Sequence, residues 1–259
     1  MKTAVLKISG KALNEILTND KWITSIKILQ KFYGGLVIVH GAGRNITEWS
    51  AALGLDAKFV NGQRVTSAGV MEVVAAVQAG VLNAKIVSRL ITADINAHGL
   101  TGIDRGSFVA ENLNPELGYV GVPKQVTSAK WINDMMKKKI VPVFSSVCRD
   151  AGGNLMNVNA DIFTETIATA VNADSVYFVS DVQGVKLGGN IQTQINEEKI
   201  IRGINDGEIT EGMIPKLTSC LELLNKGINK IWIGSQNPEG LFNDNKNKTQ
   251  SGTWVIQSA

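Results

Sequence analysis

The chain is poor in the residues that mark several protein classes. Its 259 residues include two cysteines and two histidines. Cys148 and Cys220 have no CxxC spacing and both lie in apolar surroundings, so they read as reduced core residues of a cytosolic protein. Two histidines far apart leave almost no material for a zinc site, and no metal ligand is assigned. Charge of one sign is scarce as well. The net charge is +3, too small to argue for nucleic acid, and no stretch carries five like charges in a row. The longest basic cluster, Lys137-Lys138-Lys139, closes a predicted helix, where cations favour the dipole. No signal peptide precedes the first β-rich run, and no apolar run is expected to reach membrane-spanning length. The expectation is a cytoplasmic protein without a membrane or nucleic-acid partner. GxxxxGK[ST] and GxSxG are absent, as is any evident Ser/His/Asp or Cys/His arrangement. Gly41-Ala42-Gly43-Arg44-Asn45-Ile46 meets GxGxxG only in its first two glycines, which supports a dinucleotide site poorly.

What is present is ordinary globular material, 44% hydrophobic and 19% charged, enough for one large domain or two lobes. Thr3 to Ile8 is a β-rich run, and Asp20 is a candidate cap for a predicted helix that buries Trp22, Ile23, Ile26 and Leu29. Leu36-Val37-Ile38-Val39 reads as a parallel strand buried on both faces. Ser67 to about Ala93 is strongly helical and apolar, with Gly80 as a candidate break. Gly99 to Val122 reads as loops and hairpins on the main sheet, and Ser128 to Lys139 as an amphipathic helix. Ile140 to Phe144, Ser175 to Val179, Lys230 to Ile233 and Thr253 to Ile256 supply further strands. A polar loop is expected from Gly203 to Gly212, followed by a helix from Pro215 to Lys226. Strands alternate with helices throughout, which predicts a parallel α/β fold.

The stretch Asn157-Val158-Asn159-Ala160-Asp161 stands where the chain enters a predicted helix beside a sheet. Open α/β sheets bind ligands at such places. Asn and Asp also cap helices there, but one cap needs one side chain, and three polar groups lie within five residues. Amides can donate to an anion and a carboxylate can hold a cation. Glycine or small-residue turns end three strands, at Ser9-Gly10, at Gly41-Ala42-Gly43, and from Asp181 to Gly184. Each lets backbone N–H groups approach a ligand closely. Lys7 in a buried strand is costly unless paired, and Lys216 stands in a first helical turn, where the dipole disfavours a cation. With Arg64, Asn157 and Asn159 they make an anion-handling set; Arg64 alone would read equally well as a surface residue.

Taken together, Lys7-Ile8-Ser9-Gly10, Val39-His40-Gly41-Ala42-Gly43, Asn61-Gly62-Gln63-Arg64-Val65-Thr66, Glu116-Leu117-Gly118, Leu155 to Asp161, Ser180-Asp181-Val182 and Gly212-Met213-Ile214-Pro215-Lys216 resemble the N-acetylglutamate kinases of the amino-acid kinase superfamily, in that family's order and over nearly the whole length. The resemblance implies an open three-layer αβα sandwich on a mostly parallel sheet, in two lobes. Residues 1–172 would bind the acylated amino acid and residues 173–259 the nucleotide. It implies that Lys7 and Lys216 stabilise the transferring phosphoryl group and that Asp161 orients them. Ala42, Gly43, Arg64, Asn157 and Asn159 would hold the substrate. Gly10 and Gly41 would supply N–H groups to phosphate. Asp181, Val182, Gln183, Gly184, Val185 and Lys186, with Glu208, Ile209 and Thr210, would line the nucleotide site. Ser9 and Ala42 depart from the family, which usually has glycine at both places.

A carboxylate attacking the γ-phosphate of ATP brings two anions together, so catalysis rests on positioning and charge neutralisation. No general base is needed, because the carboxylate is already ionised. Mg²⁺ is implied with ATP and would sit mainly on phosphates and water. The reaction expected is phosphorylation of N-acetyl-L-glutamate in arginine synthesis. The same reaction on N-succinylglutamate or a carrier-linked aminoadipate would use the same motifs. A non-catalytic ligand sensor is the reading of a different class, opposed by Lys7, Asp161 and Lys216 standing together. A nucleotide kinase rests mainly on Ser9. Because the first strand begins near residue 3, the resemblance also implies a homodimer insensitive to arginine, meeting through the apolar helical stretch between Val70 and Leu90.

Overall fold

The computed structural model describes residues 1–10, 12–60, 62–209, 213–235 and 252–257. The opening β-rich run forms β1 (Thr3–Ile8), and Gly35–His40 forms β2 beside it, both buried at every position. They lie in the middle of an eight-stranded sheet completed by β5 (Ala97–Thr101), β8 (Val141–Ser145), β11 (Ser175–Val179), β14 (Gln194–Ile195), β15 (Ile231–Gly234) and β16 (Thr253–Val255). The order is β14-β16-β15-β11-β1-β2-β8-β5, parallel at every pairing except β15 with β16. A parallel strand in mid-sheet is covered on both faces, which is why these runs are continuously apolar.

Helices cover the two faces. On one lie α1 (Leu13–Thr18), α2 (Asp20–Tyr33), α4 (Ala68–Val74) and α5 (Asn83–Thr92), and α3 (Gly43–Ala52) joins them through Ile46. On the other lie α6 (Lys130–Lys137), α7 (Ala160–Ala170), α8 (Glu197–Asn205) and α9 (Ile214–Asn225). The two-residue period of a strand sorts β1 between them: Ala4, Leu6 and Ile8 enter the first core and Val5 the second. Lys7 shares the face of Val5, so its side chain is delivered toward α7 and α9.

Four further strands lie apart from the main sheet. β6 (Phe108–Asn112), β7 (Val120–Gln125), β9 (Val147–Arg149) and β10 (Leu155–Val158) form their own sheet in the order β6-β7-β10-β9. The expectation that residues 99–122 lie on the main sheet therefore holds only for β5. The rest leaves because its apolar side chains find α7: Phe108 meets Phe163 edge-on with ring centroids 5.6 Å apart. Two small hairpins complete the chain, β3 (Phe59–Val60) with β4 (Gln63–Arg64) and β12 (Lys186–Leu187) with β13 (Asn190–Ile191).

Two boundaries differ from the sequence reading. Gly80 does not divide the long apolar helix, which runs unbroken over Ala68–Thr92 through a π-helical stretch, Ala75–Leu82. The wider turn keeps the backbone hydrogen-bonded where glycine alone would weaken it. The helix is long and apolar enough to cross a membrane, contrary to the expectation that no run reaches that length, yet half of its most apolar window is buried against the core. The polar loop expected from Gly203 begins inside α8, where Ile200 is buried and Asn196 caps the first turn. Gly203 is there because a Cβ would lie 2.6 Å from Leu187.

Candidate active site

The parallel strands β1 and β2 end side by side, and their turns touch. A Cβ on Gly10 would lie 2.9 Å from the Gly43 nitrogen, so only glycine lets the two turns approach this closely. Ala42 has φ −148°, an angle open to any residue, and Ser9 uses its hydroxyl to accept from the Ala12 N–H. Neither departure from glycine strains the backbone.

Beneath these turns three charged side chains converge. Lys7 Nζ stands 2.6 Å from Asp161 Oδ1, and Lys216 Nζ donates to both Asp161 oxygens at 3.2 Å. Lys7 and Lys216 are each only 5% exposed. Lys216 also lies over the Phe178 ring, 5.4 Å from its centroid. Asp161 comes from the first turn of α7, but it does not cap that helix. Asn159 does, its Oδ1 accepting from the Asp161 N–H at 2.8 Å. The capping and charge-holding alternatives thus fall to different residues, which leaves the Asp161 carboxylate free for the lysines.

The electrostatics follow from burial. Loss of water lowers the Lys7 pKa to about 8; Asp161 opposes that fall and Lys216 adds to it. Burial by itself would raise the Asp161 pKa, but the two ammoniums hold it well below the usual carboxylate range. Two cations around one carboxylate leave a net positive charge in a water-poor pocket, a ready receiver for a polyanion. Burial raises the Cys148 thiol to about 12 and raises Cys220 too, so neither is a nucleophile at neutral pH.

A cavity of about 230 Å³ opens over Lys7 and Asp161. Gly10, Gly41, Ala42, Gly43, Arg64, Asn157 and Asn159 all line it. Arg64, on the β3–β4 hairpin, is 8% exposed and so is not a surface residue. Its Nη2 donates to the Gly43 carbonyl at 2.8 Å and to Thr47 Oγ1 at 2.7 Å, and its guanidinium lies over the Phe59 ring. Burial works against its charge, and its Nη1 is buried with no partner among the described residues. Leaving such a donor unmet is costly, and a carboxylate is what a guanidinium edge fits best. Asn157 donates to Thr66 Oγ1 at 3.1 Å, which fixes its amide in the lining of the same cavity.

A second cavity, about 390 Å³, lies off β11. Its lining includes Asp181, Val182, Gln183, Gly184, Val185, Lys186, Glu208 and Ile209, together with Met213. Met213 immediately precedes α9, so the helix that carries Lys216 starts at this cavity's wall. Glu208 accepts from the Gly188 N–H. Thr210 lies outside the described residues.

Sequence reasoning missed Gln78 and Ser146, which line the first cavity, and Phe59, which covers Arg64. Gln78 and Asn83 carry a detectable signal, being the two amides in the otherwise apolar stretch Val73 to Ala84. Nothing in the local sequence marks Ser146.

Residues 2–235 match the amino acid kinase family. Acetylglutamate kinases of Chlorobaculum tepidum and Bacillus pumilus are each 34% identical to this chain; the first match covers 89% of this chain and 81% of the relative, the second 90% and 89%. Among solved structures, a Streptococcus mutans UA159 protein is 26% identical with a TM-score of 0.85, covering 98% of both chains. The N-acetylglutamate synthase of Neisseria gonorrhoeae, complexed with coenzyme A and N-acetyl-glutamate, aligns with a TM-score of 0.84 over 100% of this chain and 60% of that one. At 17% identity that likeness is one of fold.

Proposed function

The chain belongs to the amino acid kinase family, and on that premise we propose that it transfers the γ-phosphoryl group of ATP to the side-chain carboxylate of N-acetyl-L-glutamate, in arginine synthesis. A carboxylate oxygen forms the new bond to the γ-phosphorus, and the bond to the bridging oxygen breaks with its electron pair leaving on ADP. The observation that carries this reading is the buried Lys7–Asp161–Lys216 cluster, of which Lys7 and Asp161 line the cavity that holds Arg64 and Asn157. Lys7 and Lys216 meet the negative charge that spreads over the phosphoryl oxygens, and Asp161 holds both ammoniums in place beforehand. Such preorganised charge needs no rearrangement as the reaction proceeds. Gly10 approaches the phosphates through its backbone, whereas the Gly41 N–H, expected to do the same, is taken by the Ile8 carbonyl at 3.0 Å.

Arg64 offers its unmet Nη1 to a substrate carboxylate, and Asn157, Asn159, Ala42 and Gly43 bound the same space. The nucleotide takes the cavity from Asp181 to Lys186, with Glu208 and Ile209. On this reading residues 1–172 form the acyl-amino-acid lobe and residues 173–259 the nucleotide lobe, joined where β1 pairs with β11. Mg²⁺ would come with ATP and be held by its phosphates. Asp161 already serves two lysines, and no group of three or more metal-binding side chains occurs among the described residues, so no residue is assigned to the ion.

Two further parts of the proposal concern assembly and place. The helix Ala68–Thr92 turns Ala76, Gly80 and Ala84 outward at four-residue intervals, a smooth strip against which a second copy of the helix can pack closely. A homodimer through this strip covers the apolar half that the core leaves open. Two buried free thiols fit a reducing cytoplasm.

ADP release measured against N-acetylglutamate, N-succinylglutamate, other N-acyl glutamates, free glutamate and UMP tests the reading. N-acetylglutamate is expected to give the highest kcat/KM. Release with UMP alone, or with none of them, would overturn it.

A further inference from the structure

A buried polar network lies behind the turn at Gly41, apart from the charged cluster of Lys7, Asp161 and Lys216. His40, the last residue of β2, has no exposed surface. Its Nδ1 is 3.3 Å from the Gly41 carbonyl oxygen, and its Nε2 is 3.1 Å from Asn83 Nδ2. The same Asn83 nitrogen lies 2.9 Å from the Val143 carbonyl. An atom that close to a carbonyl oxygen must be the amide donor, so it donates to His40 as well. Nε2 therefore accepts, the ring proton stands on Nδ1, and Nδ1–H donates to Gly41. Gln78, from the π-helical stretch, donates to the His40 carbonyl at 3.1 Å and to Ser146 Oγ at 2.7 Å.

Two successive carbonyls are thus pinned from behind, that of His40 by Gln78 and that of Gly41 by the imidazole. The Gly41 N–H is held in turn by the Ile8 carbonyl at 3.0 Å. Every peptide here is trans, so the Ala42 N–H points opposite to the Gly41 carbonyl. That carbonyl faces the buried imidazole, and the Ala42 N–H has no acceptor among the described residues. Ala42 lines the cavity over Lys7 and Asp161. Burial lowers the imidazole pKa to about 4, which keeps the ring neutral and its tautomer constant across physiological pH.

We propose that His40 is a positioning residue: as the Nδ1–H tautomer selected by Asn83, and together with Gln78, it fixes the peptide planes of the Gly41-Ala42-Gly43 turn so that the Ala42 N–H faces the phosphoryl group in transfer. This rests on the kinase reading for its activity readout but not for its geometry. It also means that the apolar helix carrying Gln78 and Asn83 sets the orientation of a phosphate-facing amide.

Two measurements test it. With only two histidines in the chain, the ring nitrogens of His40 and His98 are separable in a ¹H–¹⁵N multiple-bond spectrum. His40 is expected to be the Nδ1–H form, without titration down to about pH 5. An Nε2–H tautomer, or ordinary titration near the usual histidine pKa, would overturn the proposal. The second measurement compares His40→Leu, which removes the donor, with His40→Asn, whose amide can place a donor near the position of Nδ1. His40→Leu is expected to lower kcat about tenfold or more while KM for the acyl-amino acid stays within about twofold, and His40→Asn to recover much of the loss. Affinity for ADP with aluminium fluoride should fall in His40→Leu while affinity for ADP alone is kept. Folded His40→Leu with unchanged kcat, or His40→Asn no better than His40→Leu, would refute it. If neither variant folds, Gln78→Leu takes their place: reduced aluminium fluoride affinity supports the network, and unchanged affinity refutes it. Wild-type enzyme inactive on every acyl-glutamate would sink the kinase reading while the tautomer and aluminium fluoride measurements still decide this one.

Discussion

Replacing Asp161 by asparagine should move the alkaline limb of the pH–rate profile as well as lower the rate. The substitution is nearly isosteric, and α7 keeps its cap because Asn159 supplies it. What is lost is the charge that opposes the burial of Lys7. With Asp161 present the Lys7 pKa is about 8. Activity that needs the ammonium is therefore present below that value and lost as pH rises through it. A hydrogen-bonded opposite charge at such range contributes roughly 1–3 units, so in Asp161→Asn the Lys7 pKa should fall to about 5–7. At about pH 7.5 the charged fraction drops from about three quarters to about a quarter at one limit and well under 1% at the other, a loss of about 3-fold to 200-fold. At about pH 6 the same arithmetic leaves a loss of about 1-fold to 10-fold. The assay is kcat/KM by ADP release between about pH 5.5 and 9, since that ratio reports the free enzyme before phosphates perturb the site. The defect should shrink by about 3- to 20-fold on acidification. A defect equal at all pH values, or none, would refute the claim that Asp161 keeps the lysine charged.

Four more outcomes follow from the same geometry. Lys216→Ala should lower kcat by about 10²–10³ with little change in acyl-amino-acid binding, and Lys216→Arg should not fully rescue it, because a planar fork cannot replace a compact ammonium; steady-state kinetics with circular dichroism decides this. Arg64→Ala should raise KM for the acyl-amino acid strongly and leave kcat less affected, since its contacts act in ground and transition states alike; an unchanged KM removes Arg64 from substrate binding. Gly10→Ala should reduce activity with ATP, because its Cβ would press on the Gly43 nitrogen at 2.9 Å and part the two turns; activity equal to wild type would show that the turns can give. On the proposed homodimer, Gly80→Glu should yield a folded monomer by light scattering, as the site is exposed, a Cβ there would meet only the Ala75 carbonyl oxygen at 4.0 Å, and the helix gains propensity; a dimer mass in the variant would place the interface elsewhere.

The α/β class, the buried central strands and the two glycine turns were legible in the sequence by itself, because periodicity and turn chemistry are local properties. The charges of Lys7 and Lys216 stood out for a related reason: each violates a local preference that only a partner could justify, whereas Asp161 suits a helix start and Arg64 a surface, and both drew notice through the motifs around them. Which partner was not legible from the residues themselves; only the family resemblance implied that Asp161 meets the two lysines. Asp161 and Lys216 are 55 residues apart, and Arg64 meets Gly43 across 21, contacts set by how strands and helices stack. Tertiary structure alone assigned the cap to Asn159 and left the Asp161 carboxylate for the lysines. It also drew residues 108–125 off the main sheet, because Phe108 finds Phe163 there. The network of His40, Gln78, Asn83 and Ser146 joins two strand ends to one helix, and the π-helical register places Gln78 within reach of the His40 carbonyl and Ser146. A helical period read from sequence assumes 3.6 residues per turn, so a locally wider turn, and the side chain it redirects, becomes visible only when the helix is packed.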